Sequence, residues 1–375
     1  MKSHFNYPLF FLTVILTGFS FLFLSCLSSA ASLQRFGNTN YYLFHQILSG
    51  LIPGIIAGFV AYKISLKFIK KWAPLLVILN ILALFAVFIP GIGSRAGGAS
   101  RWIKIGFMTF QPSEFLKITA ILYLSAWIAS KLAETSSSEW KAIATKNYHN
   151  AIHVLAPFLV FLGLISSALI LQKDASTLGV VTITLFVLYF YAKTPVWHTL
   201  VILFLGIVSL LLMIKFEPYR FDRLLIFLHP SQDPLGKGLQ LRQSLISLGS
   251  GGFFGKGLGM SAEKFFLPES MTDSIFAIIG EELGMIGCLA LIACFILFFW
   301  MGIKIAQNSH DKFSKMTALG ITFWISFQAF INMASVAGIF PLAGIPLPFF
   351  SSGGSHLVVE LIGIGLLLNI SKNTT

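Results

Sequence analysis

The chain has 375 residues, of which 56% are hydrophobic and 11% charged, with a net charge of +12. A water-soluble domain carries about 25% charged residues, so a soluble enzyme is excluded and an integral membrane protein is indicated. Lysines meeting anionic lipid at one membrane face explain the positive excess, and no nucleic-acid partner is needed to account for it.

A helix that crosses a bilayer needs about 20 apolar residues. Ten such segments follow one another, at 7–27, 43–62, 72–90, 114–132, 151–171, 175–192, 196–214, 274–303, 316–339 and 355–371. A closed barrel does not fit, because its strands would alternate polarity over about 10 residues. The predicted fold class is all-α integral membrane: a ten-transmembrane-helix bundle with a large outer loop between helices 7 and 8, forming a single multi-pass domain over 1–375.

At the start, Lys2 and the small residues Ser28-Ser-Ala-Ala-Ser32 imitate a secretory leader. The apolar run is longer than a leader's, so this segment is predicted to remain as a helix. On the second segment Gly50, Gly54 and Gly58 recur every four residues, the spacing of close helix packing. Between segments five and six, Gln172-Lys173-Asp174 leaves room only for a tight turn. Cys26, Cys288 and Cys294 lie in apolar runs without CxxC, and no HExxH occurs, so no metal site built by protein ligands is predicted.

With the N-terminus inside, Lys2, Lys63, Lys67, Lys70, Lys71, Lys131, Lys141, Lys146, Lys193, Lys304, Lys312, Lys315 and Lys372 all fall on the inner face, half of the 26 basic residues. The short outer loops hold Arg35, Arg95, Arg101, Lys104 and Lys173. The positive-inside rule then places both termini in the cytoplasm.

Two outer segments, 90–113 and 216–272, are too long and too patterned to be simple connectors. In the first, glycines permit tight turns, and Arg101-Trp102 reads either as an interfacial anchor or as part of a polar cavity floor. Gln111-Pro-Ser-Glu114 is a helix start, with Pro112 in the first turn and Ser113 or Glu114 as the cap. Glu114 and Lys117 stand three apart and can pair. In the second, Leu241, Leu245 and Leu248 share one helical face, which predicts a short helix lying on the outer membrane surface. The glycine run 249–259 around Lys256 reads as turns, or as backbone N–H groups that wrap an anion. Near the C-terminus, 341–355 holds three prolines and cannot be a continuous helix. It is predicted to dip into the membrane as a re-entrant loop, which irregular backbone can do only against protein or a wet cavity.

The eighth segment begins Phe266-Leu-Pro-Glu-Ser-Met-Thr-Asp-Ser-Ile-Phe-Ala-Ile-Ile-Gly-Glu-Glu-Leu-Gly284. Asp273, Glu281 and Glu282 enter apolar sequence with no basic residue among them, although each ionisable group at the membrane centre costs roughly 2.5–3.5 kcal/mol on insertion scales. Two readings of Asp273 stay open. With Ser270 it has capping-box spacing; facing a wet outer cavity, it would take a proton as a general base, with desolvation raising its pKa. Asp273 and Glu281 are predicted on one side of the helix and Glu282 on the other.

That stretch resembles the signature of the SEDS family (shape, elongation, division and sporulation proteins). Arg101-Trp-Ile-Lys and Phe110-Gln-Pro-Ser-Glu114 are similar to its first outer loop. Asp233-Pro-Leu-Gly-Lys-Gly-Leu-Gln, Gln243-Ser-Leu-Ile, Gly249-Ser-Gly-Gly and Gly257-Leu-Gly are similar to its large outer loop, and Gly344-Ile-Pro-Leu-Pro-Phe-Phe-Ser-Ser-Gly-Gly-Ser355 to its C-terminal motif. The chain departs from the family at Met271, where it usually has His, at Ser274, where it has Phe, and at Ser352, where it has Tyr. It also reads Gln172-Lys-Asp-Ala-Ser-Thr177 where the family has Gln-Pro-Asp-x-Gly-Thr.

The resemblance implies a peptidoglycan glycosyltransferase of the FtsW/RodA type in the bacterial cytoplasmic membrane, leaning towards the division branch. It would polymerise lipid II into a growing glycan strand on the outer face. Its implied partners are a class B penicillin-binding protein, which is a transpeptidase, and divisome or elongasome membrane proteins. Asp273 falls on the family's essential aspartate. Arg101, Trp102, Gln111, Ser113, Glu114 and Lys117 fall on its outer cavity, and Glu269 lies in the same motif as Asp273. As the base, Asp273 would deprotonate an acceptor sugar 4-hydroxyl, and the lipid diphosphate would leave from the opposite face with inversion, by analogy with single-displacement sugar chemistry. Arg101, Lys117, Arg220 and Lys256 are the candidate cations for the leaving group. The sequence requires no cofactor; a divalent cation (Mg or Mn) bridging diphosphate and carboxylate is compatible with it. The rival reading is a lipid II flippase or other transporter, since membrane carboxylates and broken helices serve transport too.

Overall fold

The computed structural model describes residues 5–372 apart from 97–98, 106–107, 135–150, 193, 217–222, 224 and 230–237. All ten apolar segments fold as helices. In chain order they are α1 Tyr7–Phe36, α2 Tyr41–Lys63 with a π turn at Ile47–Leu51, α3 Leu66–Ala86, α4 Pro112–Glu134, α5 Ala156–Leu171 after a π turn at Ala151–Leu155, α6 Ala175–Tyr191 and α7 Val196–Phe216. A twelve-residue helix, α8 Leu239–Ser250, precedes α9 Ile275–Asn308, α10 Lys312–Val336 and α11 Gly354–Ser371. By length and composition seven of these, α1, α2, α3, α5, α9, α10 and α11, can cross a membrane, judged on the described residues. α6 and the apolar part of α7 are shorter, and α4 carries charge at its start.

α4, α10 and α11 form the centre. The glycine stripe of α2 lies against α11, as its spacing predicts: a Cβ on Gly58 would sit 2.7 Å from the carbonyl oxygen of Leu361, and one on Gly365 would sit 2.1 Å from that of Gly58. Neither backbone can retreat, because Asn369 Nδ2 also donates to the carbonyls of Ala61 and Ile64 at 2.9 and 2.7 Å. Gly365→Ala is therefore expected to lower the thermal midpoint in detergent, by about 1–3 kcal/mol of overpacking; an unchanged midpoint would contradict this packing.

The first outer segment differs from its sequence reading. Instead of simple turns it forms an antiparallel meander, β1 Gly93–Ala96, β2 Ala99–Ile105 and β3 Met108–Phe110, with Trp102 opposite Ser94 and Ile103 opposite Phe110. Alternating side chains from Ser100 to Ile105 suit a strand covered on one face. The tight turn between α5 and α6 is present: Lys173 takes the left-handed conformation (φ 56°), and Asp174 caps α6 by accepting from Thr177 N at 3.2 Å.

α9 is a broken helix. Gly284 (φ 66°, ψ −164°) interrupts it nine residues in. The glycine run of the large loop repairs the break: Lys256 N and Gly257 N donate to the carbonyls of Glu281 and Glu282 at 2.9 and 3.0 Å, and the carbonyls of Gly252 and Phe253 accept from Met285 N and Ile286 N. Backbone opened at membrane depth needs such internal partners. α8 packs against the start of α9. It buries Leu241, Ser244 and Ser247, while Leu245 is 41% exposed. Of the predicted Leu241–Leu245–Leu248 face, Leu241 is buried and Leu248 half-buried against Gly280, and Ser247 Oγ beside them donates to the carbonyl of Ala277 at 3.0 Å.

Candidate active site

Asp273 sits in the turn before α9, not within the helix and not in a capping box. The N-cap is Ser274, and the chain reverses at Glu269 (φ 53°), whose carbonyl accepts from Thr272 N and Ser274 N at 3.1 Å each. Four consecutive residues of this turn are held from outside it. Ser352 N donates to the carbonyl of Met271 at 2.8 Å, and Ser351 Oγ to that of Thr272 at 2.6 Å. Asn332 Nδ2 donates to the carbonyl of Asp273 at 2.8 Å, and Gln240 Nε2 to Ser274 Oγ at 3.0 Å. Three come from α10 and the 341–353 segment, the fourth from α8. A catalytic side chain needs this kind of fixed base to hold productive geometry.

The 341–353 segment is irregular and buried against protein, with Ile345, Leu347, Phe349 and Phe350 at most 4% exposed. Gln328 Nε2 donates to the carbonyl of Pro346 at 2.9 Å, and Asn332 Nδ2 to that of Ile345 at 2.7 Å. Asn332 thus ties this segment to Asp273 with one amide. Asn332→Leu, which leaves both carbonyls without that donor, is expected to cost about 1–3 kcal/mol in stability and to lower turnover as well. Retention of both stability and turnover would remove Asn332 from the site.

The Asp273 carboxylate makes no hydrogen bond among the described residues and is half-buried. It lies beside Gly344 (φ 61°), where a Cβ would fall 3.6 Å from Asp273 Oδ2 and 3.2 Å from Arg223 Nη1. Arg223 is fixed by donating to the carbonyl of Leu342 at 3.0 Å. Burial pushes the Asp273 carboxyl up to about 6; Glu269 adds to this, Arg223 and Arg101 oppose it, and Asp174 raises it slightly. A base with a pKa near neutral is suited to accept a hydroxyl proton.

Arg101 reaches from β2 to the carbonyls of Gln172 and Lys173 at the end of α5. Gln111 Nε2 donates to Ser113 Oγ at 3.1 Å, and Ser113 Oγ to Asp174 Oδ2 at 2.9 Å. Gln111 N also donates to Ser355 Oγ. Arg101, Glu269 and, through Asp174, Gln111 and Ser113 are therefore gathered around Asp273, with Trp102 half-buried in the adjoining sheet.

Glu114 and Lys117 pair as their spacing predicts, at 2.8 Å, but both are buried, and Lys117 Nζ also donates to Gln328 Oε1 at 3.0 Å. They support the 341–353 segment from behind through Gln328 and do not face the carboxylate. Lys256 is not brought to Asp273 either; it pairs with Glu281 at 2.7 Å. Glu281 also accepts from Ser247, Ser261, Ala262 N and Glu263 N, so the anion wrapped by this loop is the chain's own carboxylate. Glu282 is buried beside the same loop, with the backbone of Gly259 and Ser261 turned towards its carboxylate. Arg220 lies outside the described residues. Arg223 and Asp174 are the site residues that sequence reasoning missed; their signals were Arg220-Phe-Asp-Arg223 and the Gln172–Thr177 motif. Among the described residues no three His, Cys, Asp or Glu side chains cluster as metal ligands.

A profile of the cell cycle protein family FtsW/RodA/SpoVE matches residues 7–375. The chain belongs to this family. It is 36% identical to a probable peptidoglycan glycosyltransferase FtsW of Trichlorobacter lovleyi, over 98% of this chain and 93% of the relative. It is 34% identical to stage V sporulation protein E of Bacillus subtilis, over 96% and 95%. A solved chain from a peptidoglycan synthase complex that coordinates polymerization and crosslinking superposes with a TM-score of 0.79 at 24% identity, covering 99% of this chain and 98% of that one. The rod shape determining protein RodA of Thermus thermophilus superposes with a TM-score of 0.69 at 22% identity, over 99% and 97%. These two likenesses extend the FtsW/RodA fold to the whole chain.

Proposed function

We propose that this FtsW/RodA member is a peptidoglycan glycosyltransferase that polymerises lipid II into glycan strands at the outer face of the bacterial cytoplasmic membrane, with both termini inside. The names of its relatives support the reaction class. The observation that carries the mechanism is Asp273: its backbone is clamped on both sides, its carboxylate is uncommitted among the described residues, and two arginines stand near it.

In the proposed step, Asp273 takes the proton from the 4-hydroxyl of one lipid-linked disaccharide as that oxygen bonds to the anomeric carbon of another. The bond from that carbon to the lipid diphosphate breaks on the opposite face, and the configuration inverts, by analogy with single-displacement sugar chemistry. Arg223 and Arg101 offer planar forks for the departing diphosphate, where negative charge develops. Lys117 and Lys256, already paired, are not assigned this task. A divalent cation, if the reaction uses one, would be held chiefly by the diphosphate oxygens, as Mg usually is, and would supply charge neutralisation there while Asp273 keeps the proton-accepting role. The crosslinking partner is proposed to be a class B penicillin-binding protein, by extension from the solved synthase complex.

The test is polymerisation of lipid II by the purified protein, alone and with its cognate transpeptidase, with substrate supplied on one side of reconstituted vesicles. Long glycan strands are expected. Transfer of lipid II across the vesicle without polymer would favour the transporter reading and overturn this one.

A further inference from the structure

At the end of the bundle opposite Asp273, a cavity of about 420 Å³ opens between the first turns of α3 and the last turns of α4. Lys67, Lys70 and Lys71 line it from α3, and Tyr123, Trp127 and Ser130 from α4.

The fold leaves a charge problem here. A helix start already carries a partial positive charge on its free N–H groups, which acidic residues relieve and lysines aggravate. The first turn of α3 has no acidic residue; only the Ser65 side chain caps it, accepting from Phe68 N at 3.3 Å. Among the described residues no carboxylate pairs with Lys67, Lys70 or Lys71. Lys70 is half-buried, so its charge is not fully relieved by water.

The surroundings say what kind of anion would answer this charge. Tyr123 and Trp127 are half-buried amphipathic rings, the type that sits at headgroup level. Directly along α3 from the lysines, Leu75, Leu79 and Leu82 are 42%, 53% and 59% exposed. A free phosphate would use only the lysines, whereas a phospholipid would use both the lysines and the apolar face above them. Basic pockets between membrane helices hold anionic headgroups by the same physics.

We propose that this cavity is a headgroup site for an anionic phospholipid. The phosphodiester neutralises Lys67, Lys70 and Lys71, and the acyl chains run along the exposed leucines of α3. The site is independent of the glycosyl-transfer chemistry.

The test uses the full chain in a neutral detergent, titrated with phosphatidylglycerol, phosphatidylcholine or inorganic phosphate, with bound lipid counted by native mass spectrometry. Phosphatidylglycerol is expected to bind about 100-fold more tightly than phosphatidylcholine, roughly fivefold for each of the three lysines. The combined variant Lys67→Gln, Lys70→Gln, Lys71→Gln should lose about 100-fold in that affinity, roughly fivefold per lysine, with phosphatidylcholine unmoved. The matching triple Arg variant, which keeps the charge, should retain the preference; it and the Gln variant should melt like the wild type. The site is refuted if the Gln variant keeps its preference, if the Arg variant loses it, or if inorganic phosphate displaces the lipid at equal concentration.

Discussion

Asp273→Asn is expected to reduce lipid II polymerisation by roughly 10²–10⁴-fold, the usual worth of a positioned general base. The amide keeps the shape of the side chain and removes only its ability to hold a proton. The pH profile of the wild type makes the same claim independently. Catalysis needs the deprotonated form, and burial and Glu269 put the carboxyl at about 6. Turnover should therefore rise with pH through about 6 and level off above it. Stability has the opposite sign. The folded-state pKa lies above the ordinary value of 3.8, so folding favours the protonated form. The stability this group lends is complete below that ordinary value and is lost as pH rises through about 6. Asn, which never ionises, should then melt no lower than wild type at pH 7. An Asn variant that is active, or inactive only because it unfolds, would end the general-base assignment.

Much of this site was legible in the chain. Helices appeared at every apolar segment, and the Glu114–Lys117 pair and the α2 glycine stripe formed as their spacing required, because these rest on periodicities of three and four residues. What the sequence hid depends on long-range partners. Lys256 and Glu281 are separated by 25 positions, and nothing local marks Lys256 as the counterion of a buried carboxylate. Gly284 looks like any helical glycine until the 252–257 backbone is placed against it. α8 buries Ser244 and Ser247 beside Leu241 and leaves Leu245 exposed, and the Ser247 hydroxyl meets Glu281 and a helix carbonyl. The strands of 93–110 escaped because their glycines suggest turns more loudly than their short alternation suggests a sheet. Arg223 was missed for its neighbour Arg220 because three residues of sequence cannot say which arginine reaches Gly344.

Arg223 carries the second large expectation. Arg223→Ala should lower turnover by roughly 10²–10³-fold, the scale found when one charge-stabilising donor is removed from a transition state. Arg223→Lys should restore only part of it, since lysine keeps the charge but not the planar fork that matches a diphosphate. A loss of this kind could also follow from a loosened 341–353 segment, because Arg223 holds the carbonyl of Leu342. The acid limb of the pH profile separates the two. Arg223 is the first of the cations that lower the Asp273 pKa, whereas Glu269 is the first of the charges that raise it. Removing the arginine should move the limb above 6, so that the variant gains activity at a pH where the wild type has already levelled off. Glu269→Gln should move the limb below 6. Simple loosening of the loop lets water in, relieves the burial of Asp273 and moves the limb downward. A downward shift in Arg223→Ala, or a limb that stays in place while turnover falls, would take Arg223 out of the charge cluster and leave it only as a brace for the loop.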